Sequence, residues 1–194
     1  MTQTTEGTAP TAAAAACEEA RSAPLPSTTT GIFRVYINAP AERIWQAITD
    51  PAWTVKYGYG GYAHYDLRPG GALRFAPDEA MKAGAAAMGF PCPDVIIDGE
   101  VLEVDAPRLL RTTWRMLMDP ALAAGDFTTV TYEIAELDAG YCSLTVTHDC
   151  AKSPATLHLV SGLGDAAPDQ GGGGHPWVLS DLKSLLETGA RMAG

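Results

Sequence analysis

No apolar run in this 194-residue chain approaches the eighteen or so residues that a membrane-crossing helix needs. Basic side chains are scarce: 13 Lys and Arg stand against 23 Asp and Glu, for a formal charge of -10 and a pI near 4.7. At that charge a nucleic-acid backbone or an anionic membrane surface repels the chain at long range, which argues against both as partners. A small neutral or cationic ligand is easier to accommodate.

Cysteine pairs are missing too. Cys17, Cys92, Cys142 and Cys150 form no C-x-x-C motif. Cys142 and Cys150 belong near the two ends of one strand, more than about 20 Å apart if extended, so they cannot pair with each other. The N-terminus lacks the basic start and Leu-rich stretch of a secretory signal, and TAAAAAC at 11–17 is too weakly apolar to serve as one. Reduced thiols in a cytoplasmic protein are the expectation.

The catalytic signatures of common enzyme classes are also absent. The chain has no G-x-S-x-G elbow, no Walker loop and no G-x-G-x-x-G. Gly171 to Gly174 run into His-Pro rather than Lys-Ser/Thr and follow no strand, so they are not a phosphate loop. His148-Asp149-Cys150 offers metal-binding atoms, but neighbours on an extended strand face opposite ways and no second cluster has ligand spacing. Neither metal nor cofactor is expected.

What is present reads as one domain with a tail. Residues 1–29 are Ala, Thr, Pro and Ser with almost no large apolar side chains, a composition expected to stay disordered. The ordered domain is expected over 30–190, with 191–194 as a short C-terminal tail. In GIFRVYIN, residues 31–38, Phe33, Val35 and Ile37 alternate with polar neighbours in a strand pattern. Residues 39–51, APAERIWQAITDP, change to the helical period: Asn38 can cap, and Ala41, Ile44, Trp45 and Ile48 form one stripe.

A hairpin over 62–68 and 72–76 turns at Pro69-Gly70-Gly71, and strands follow at 95–104, 108–118, 127–137 and 141–148. Residues 155–163 read as a helical turn or two. The last amphipathic segment carries Val178, Leu179, Leu182, Leu185 and Leu186 on one face, with Pro176 near its start and Gly189 past its end. Strand, helix, an antiparallel meander and a terminal helix make an α+β layout, in which the last helix lies across the concave face of a curved sheet.

Four stretches in order, APAERIWQAITDP, DLRPGG, GEVLEVDAPRLLRTTWR and HPWVLSDLKSLLETG, resemble the SRPBCC (START-like, helix-grip) superfamily. Within it the chain is similar to the family named for the C-terminal domain of the activator of heat-shock protein 90 ATPase. The resemblance implies a sheet gripping a long C-terminal helix, with a pocket between them for a small hydrophobic ligand, aromatic or lipid-like. Two alternatives come with it. One is a polyketide cyclase/aromatase-like or lyase-like enzyme. The other is a co-chaperone-type module, weakened here because a short tail stands where the eukaryotic co-chaperones carry a separate N-terminal domain.

Residues 76–94 depart from the family's tighter link between strands. Asp78 can cap a short helix there whose Met81, Ala85 and Met88 share a face, either filling the core or acting as a Met-lined lid. Strand parity sends Trp114, Met116, Tyr132 and His148 toward the interior. His148 and Tyr132 are the polar members of that set and the candidate proton-transfer pair. Trp53, Tyr57 and Tyr59 are candidates for a ligand rim or for anchors to the core, and Trp177, off the apolar stripe of the last helix, is expected to close one end of the pocket. Arg68 is read as a structural partner of Asp66, and the four glycines as the flexible joint of a lid.

Overall fold

The computed structural model describes residues 29–89, 91–138, 140–162 and 173–192. The expected tail at 1–29, apart from residue 29, lies outside these, as do Gly171 and Gly172 of the expected joint. Seven strands form one antiparallel sheet: β1 (Thr30–Ile37), β2 (Tyr62–Tyr65), β3 (Ala72–Ala76), β4 (Ile97–Asp105), β5 (Leu109–Met116), β6 (Thr128–Glu136) and β7 (Cys142–Asp149). Strands β2 to β7 follow one another as a meander, and β1 pairs with β7 at the far edge. Helices α1 (Ala41–Thr49) and α2 (Pro51–Thr54) connect the two edges. Then come α3 (Glu79–Ala87), α4 (Pro120–Ala123), α5 (Pro154–Ser161) and α6 (Gly174–Thr188). This is the α+β helix-grip arrangement expected, an unclosed sheet with its C-terminal helix.

The period-2 pattern decides which face each strand buries. Phe33, Val35 and Ile37 pair with Val146, Leu144 and Cys142, whereas Ile32 and Tyr36 project to the exposed side. Leu110, Thr112, Val130, Ile134, Leu144, Val146 and His148 are all buried on the inner face. A register shift between Val101 and Glu103 marks a bulge in β4, which bends the sheet. The curvature is strong: Tyr65 on edge strand β2 comes close to Tyr132 on β6, across three intervening strands.

Helix α1 lays Ala41, Ile44, Ala47 and Ile48 into this core, with Trp45 half-buried against it. Its N-cap is Pro40 rather than Asn38. The Asn38 amide instead donates to Glu187 Oε1 at 2.7 Å, so that end of the segment serves α6. Arg68 pairs with Asp66 at 2.8 Å, on the surface beside the β2–β3 turn. Among the described residues no helix is long and apolar enough to cross a membrane.

The face of α6 contains a residue that hydropathy does not mark. Leu179 and Leu182 are buried as expected, and between them Asp181 is 0% exposed. Its carboxylate accepts from the amides of Gly58 (2.8 Å) and Met192 (2.6 Å) and from Arg191 Nε (3.1 Å). Arg191 also donates to the Gly58 carbonyl at 2.6 Å. A buried carboxylate needs this many donors to offset its lost hydration. The four together bind α6, the loop after α2 and the chain end into one node, so residues 191 and 192 are part of the fold rather than a loose tail.

The expected flexible joint is a packed one at its last two glycines. Gly174 has φ 65, its amide donates to Tyr59 Oη at 2.7 Å, and a Cβ there would lie 2.4 Å from the Val160 carbonyl oxygen. Positive φ and close approach, not looseness, require glycine at this position.

Asp181→Ala removes the acceptor for two buried amides and for Arg191. It is expected to lower the unfolding free energy by about 3 kcal/mol, read by urea denaturation; a loss under about 1 kcal/mol would mean that the node does not hold α6.

Candidate functional site

Parity on three adjacent strands gathers Trp114 and Met116 of β5, Tyr132 of β6 and His148 of β7 on the concave face, as the sequence suggests. The register places Val130 opposite His148 and Tyr132 opposite Val146, so Tyr132 and His148 are diagonal neighbours. They do not join one hydrogen-bond system. Tyr132 faces Tyr65, and burial pushes the Tyr132 phenol up to about 12 and that of Tyr65 well above its usual range, so both stay neutral. His148 uses both of its ring nitrogens elsewhere.

His148 Nε2 lies 2.8 Å from Thr128 Oγ1, and His148 Nδ1 lies 3.0 Å from Nε2 of His175 in the first turn of α6. The Thr128 hydroxyl in turn donates to the Trp114 carbonyl at 2.9 Å. Trp114 meets the His148 ring edge-on, with centroids 5.2 Å apart, and Phe33 covers His175 at 5.1 Å. Burial, with His175 alongside, holds His148 down to about 3, and burial alone holds His175 down to about 4. Both imidazoles are neutral near pH 7.

His175 is the member that sequence reasoning missed. Its signal was the His-Pro-Trp opening of the last helix, but its partner lies 27 residues away on β7 and emerges only from the packing of α6 against the sheet. A histidine with both nitrogens engaged is no longer a free acid or base, and the hydrogen bonds join His148 to Thr128 and His175 rather than to Tyr132.

The other expected ligand residues divide. Tyr57 is buried, and its hydroxyl donates to the Ala47 carbonyl at 3.1 Å. It is a core anchor with no free polar tip. Trp53 packs on the core with the Arg43 guanidinium 4.1 Å and the Lys56 ammonium 4.4 Å from its ring centroid, so cations already cover it. Tyr59 is 58% exposed and its hydroxyl is committed to the Gly174 amide, which makes it a support for α6 rather than a rim of the concave face.

Asp78 caps α3 as expected, accepting from the Met81 amide at 2.8 Å, and Ala85 is its buried residue. Met81 is half-buried, but Met88 is 69% exposed at the helix C-cap, so the Met face is not turned inward as a whole. Trp177 lines an outer cleft of ≈ 240 Å³ with Ser161, Gly162, Pro176 and Met192 instead of closing the concave face. A second cleft of ≈ 360 Å³ lies on the opposite face of the sheet around Gly99, Thr113 and Phe127. Among the described residues no group of three or more His, Cys, Asp or Glu is placed to hold a metal ion, and Cys92, Cys142 and Cys150 are free thiols.

The family described as Activator of Hsp90 ATPase homolog 1-like protein matches residues 38–187. No curated protein matches the chain. Among solved structures it is similar to DynU16, a protein in the dynemicin biosynthetic locus, at 21% identity over 84% of this chain and 49% of that one, with a TM-score of 0.56. A protein from Rhodobacter sphaeroides is similar at 20% identity over 82% and 93% of the two chains, TM-score 0.56. CalU16 from Micromonospora echinospora, in its solution structure, is similar at 19% identity over 85% and 69%, TM-score 0.53. The match spans about half of the DynU16 chain and 59% of the crystallised CalU16 chain. At such identities these likenesses speak to the fold.

The lowered histidines set a pH dependence. Unfolded, each binds a proton below about 6.5, whereas folded each stays neutral until about 4 or 3. The unfolded state therefore holds more protons in this window, and the stability present above pH 6.5 is lost as pH falls, at up to about 1.4 kcal/mol per pH unit for each histidine. His175→Phe should flatten the fall between about pH 6.5 and 5, above the range where most carboxylates titrate. Parallel curves for wild type and variant, from denaturant melts at several pH values, would show that His175 is not held neutral by the fold.

Proposed function

The chain belongs to the Activator of Hsp90 ATPase homolog 1-like family, and from that premise we propose that it binds a small hydrophobic molecule, aromatic or lipid-like, between the concave face of the sheet and α6. The observation that carries this reading is an uneven burial along the inner face. Leu110, Thr112, Val130 and Ile134 are buried, but Trp114, Met116 and Tyr132 on the same strands and the same face keep part of their surface accessible. Large apolar side chains left partly open on an inner face are a binding surface waiting for a partner of matching chemistry. The neutral hydroxyls and imidazoles among them supply the few polar contacts that orient a ligand, and the chain's net charge of -10 disfavours an anionic one.

A second reading, an enzyme of the cyclase/aromatase type moving protons on the bound molecule, draws on the buried His148–His175 pair. Neutral imidazoles near a hydrophobic site are the groups such chemistry uses. In that reading His175 takes the role that His148 cannot, since both nitrogens of His148 are engaged.

Displacement of an environment-sensitive dye, with native mass spectrometry of protein purified from its own host, tests the binding site. Trp114→Ala is expected to weaken binding roughly tenfold or more, while Trp177→Ala on the outer cleft leaves it unchanged. The reading is lost if no apolar compound is retained or bound, or if Trp177→Ala costs as much as Trp114→Ala.

A further inference from the structure

The outer face of the sheet carries three charges in a row. Register sets Arg74 of β3 opposite Asp98 of β4, and Asp98 in turn opposite Arg115 of β5. One cation is in excess, and the geometry decides which. Arg115 takes the Asp98 carboxylate through both oxygens, Nε to Oδ1 at 3.1 Å and Nη2 to Oδ2 at 2.8 Å, the two-pronged form in which such pairs are strongest. Its guanidinium also lies 4.2 Å from the Phe127 ring centroid, which holds it in place. Arg74 therefore loses its cross-strand partner: among the described residues it makes no ion pair and no side-chain hydrogen bond.

Glu100 stands two residues beyond Asp98 on β4 and opposite Ala72, which makes it a diagonal neighbour of Arg74 at about 7 to 8 Å. Its amide donates to Thr113 Oγ1 at 2.7 Å, but its carboxylate has no partner among the described residues. Between Asp98 and Glu100 lies Gly99. A Cβ there would collide with the Thr113 carbonyl, so no side chain can stand at that point and the floor is bare backbone. The result is the cleft of ≈ 360 Å³ lined by Arg74, Gly99, Glu100 and Phe127, within the size range of small-ligand sites.

We propose that this cleft binds a free α-amino acid with an apolar side chain. Arg74 takes the carboxylate with its fork of N–H donors, Glu100 accepts from the ammonium group, and the side chain lies against Phe127. Arg74 and Glu100 are long enough, from diagonal positions, to converge on the two charged groups of one α-carbon. The charges lining the cleft cancel, Arg74 and Arg115 against Asp98 and Glu100, so a zwitterion enters without a net penalty. A simple carboxylate would satisfy Arg74 but meet Glu100 and the chain's charge of -10 as repulsion. A simple amine would satisfy Glu100 and leave Arg74 unmet. The site is separate from the concave face, on the other side of the sheet.

The test titrates the full chain with L-phenylalanine, N-acetyl-L-phenylalanine, L-phenylalaninamide and glycine near pH 6.5, where a free α-amino group keeps its proton, and follows backbone amide shifts by NMR. Phenylalanine should bind about tenfold or more tightly than either singly charged analogue, the worth of one charge-assisted hydrogen bond, and more tightly than glycine, with the largest shifts at Gly99, Glu100 and Thr113. Glu100→Gln should abolish the preference over N-acetylphenylalanine and keep that over phenylalaninamide; Arg74→Gln should do the reverse. Both side chains are exposed, and a general disturbance of the fold would move both preferences together, so the crossed pattern separates the two. Absence of saturable shifts, equal affinities for phenylalanine and its two analogues, glycine binding as tightly as phenylalanine, or shifts centred on Val130 and Tyr132 of the concave face instead overturns the proposal.

Discussion

The placement of the gripping helix depends on a carboxylate buried beneath it. Asp181 sits where a helix laid on an apolar sheet would ordinarily present a leucine, and it is tolerated because two backbone amides and a guanidinium converge on it. Leucines alone would let α6 slide or rotate on the sheet, since apolar contact has no direction. The carboxylate fixes its axis. The loop after α2 then holds the helix a second time, for Gly58 supplies an amide to Asp181 while Tyr59, the next residue, receives the amide of Gly174 at the helix start. Gly58 itself has φ 62, and a Cβ there would come within 3.2 Å of Val178 on α6. The aromatic, glycine-punctuated segment is thus a cradle for α6. His175, six residues before Asp181 and so about 9 Å along the axis, is delivered to His148 by that cradle.

This explains what the sequence made legible and what it did not. Strand faces were readable because a sheet with one buried side imposes a period of two on every strand, and Val130, Leu144, Val146 and His148 obey it. The family motifs supplied the order of elements and the grip. The node and the relay were not readable, because a carboxylate and its amide donor 123 residues apart leave no local pattern.

The aromatic loop left two readings open, ligand rim or core anchor, for a related reason. Tyr57 and Tyr59 have the polar tips that suit a ligand rim, but their hydroxyls are satisfied by backbone groups of Ala47 and Gly174, and a backbone partner cannot be inferred from residue types. Met81 and Met88 share a helical face by spacing, yet α3 rests on the small Ala85 and leaves Met88 in solvent. A helical stripe shows which residues are neighbours on one element; it does not show how deeply that element is seated.

The relay also bears on whether the concave face binds or reacts. If His175 removed a proton from a ligand it would become an imidazolium, and its charge could be shared along Nε2 to His148. Beyond His148 the chain ends at Thr128 and the carbonyl of Trp114. A backbone carbonyl accepts a hydrogen bond but is far too weak a base to accept the proton itself, and no carboxylate stands among the hydrogen-bonded members of the chain to stabilise the cation, as the aspartate of a catalytic triad does. Burial has already driven both histidines to low proton affinity. The arrangement therefore holds two neutral rings in fixed orientation, with Thr128 and the Trp114 carbonyl as the far end of the chain beyond His148.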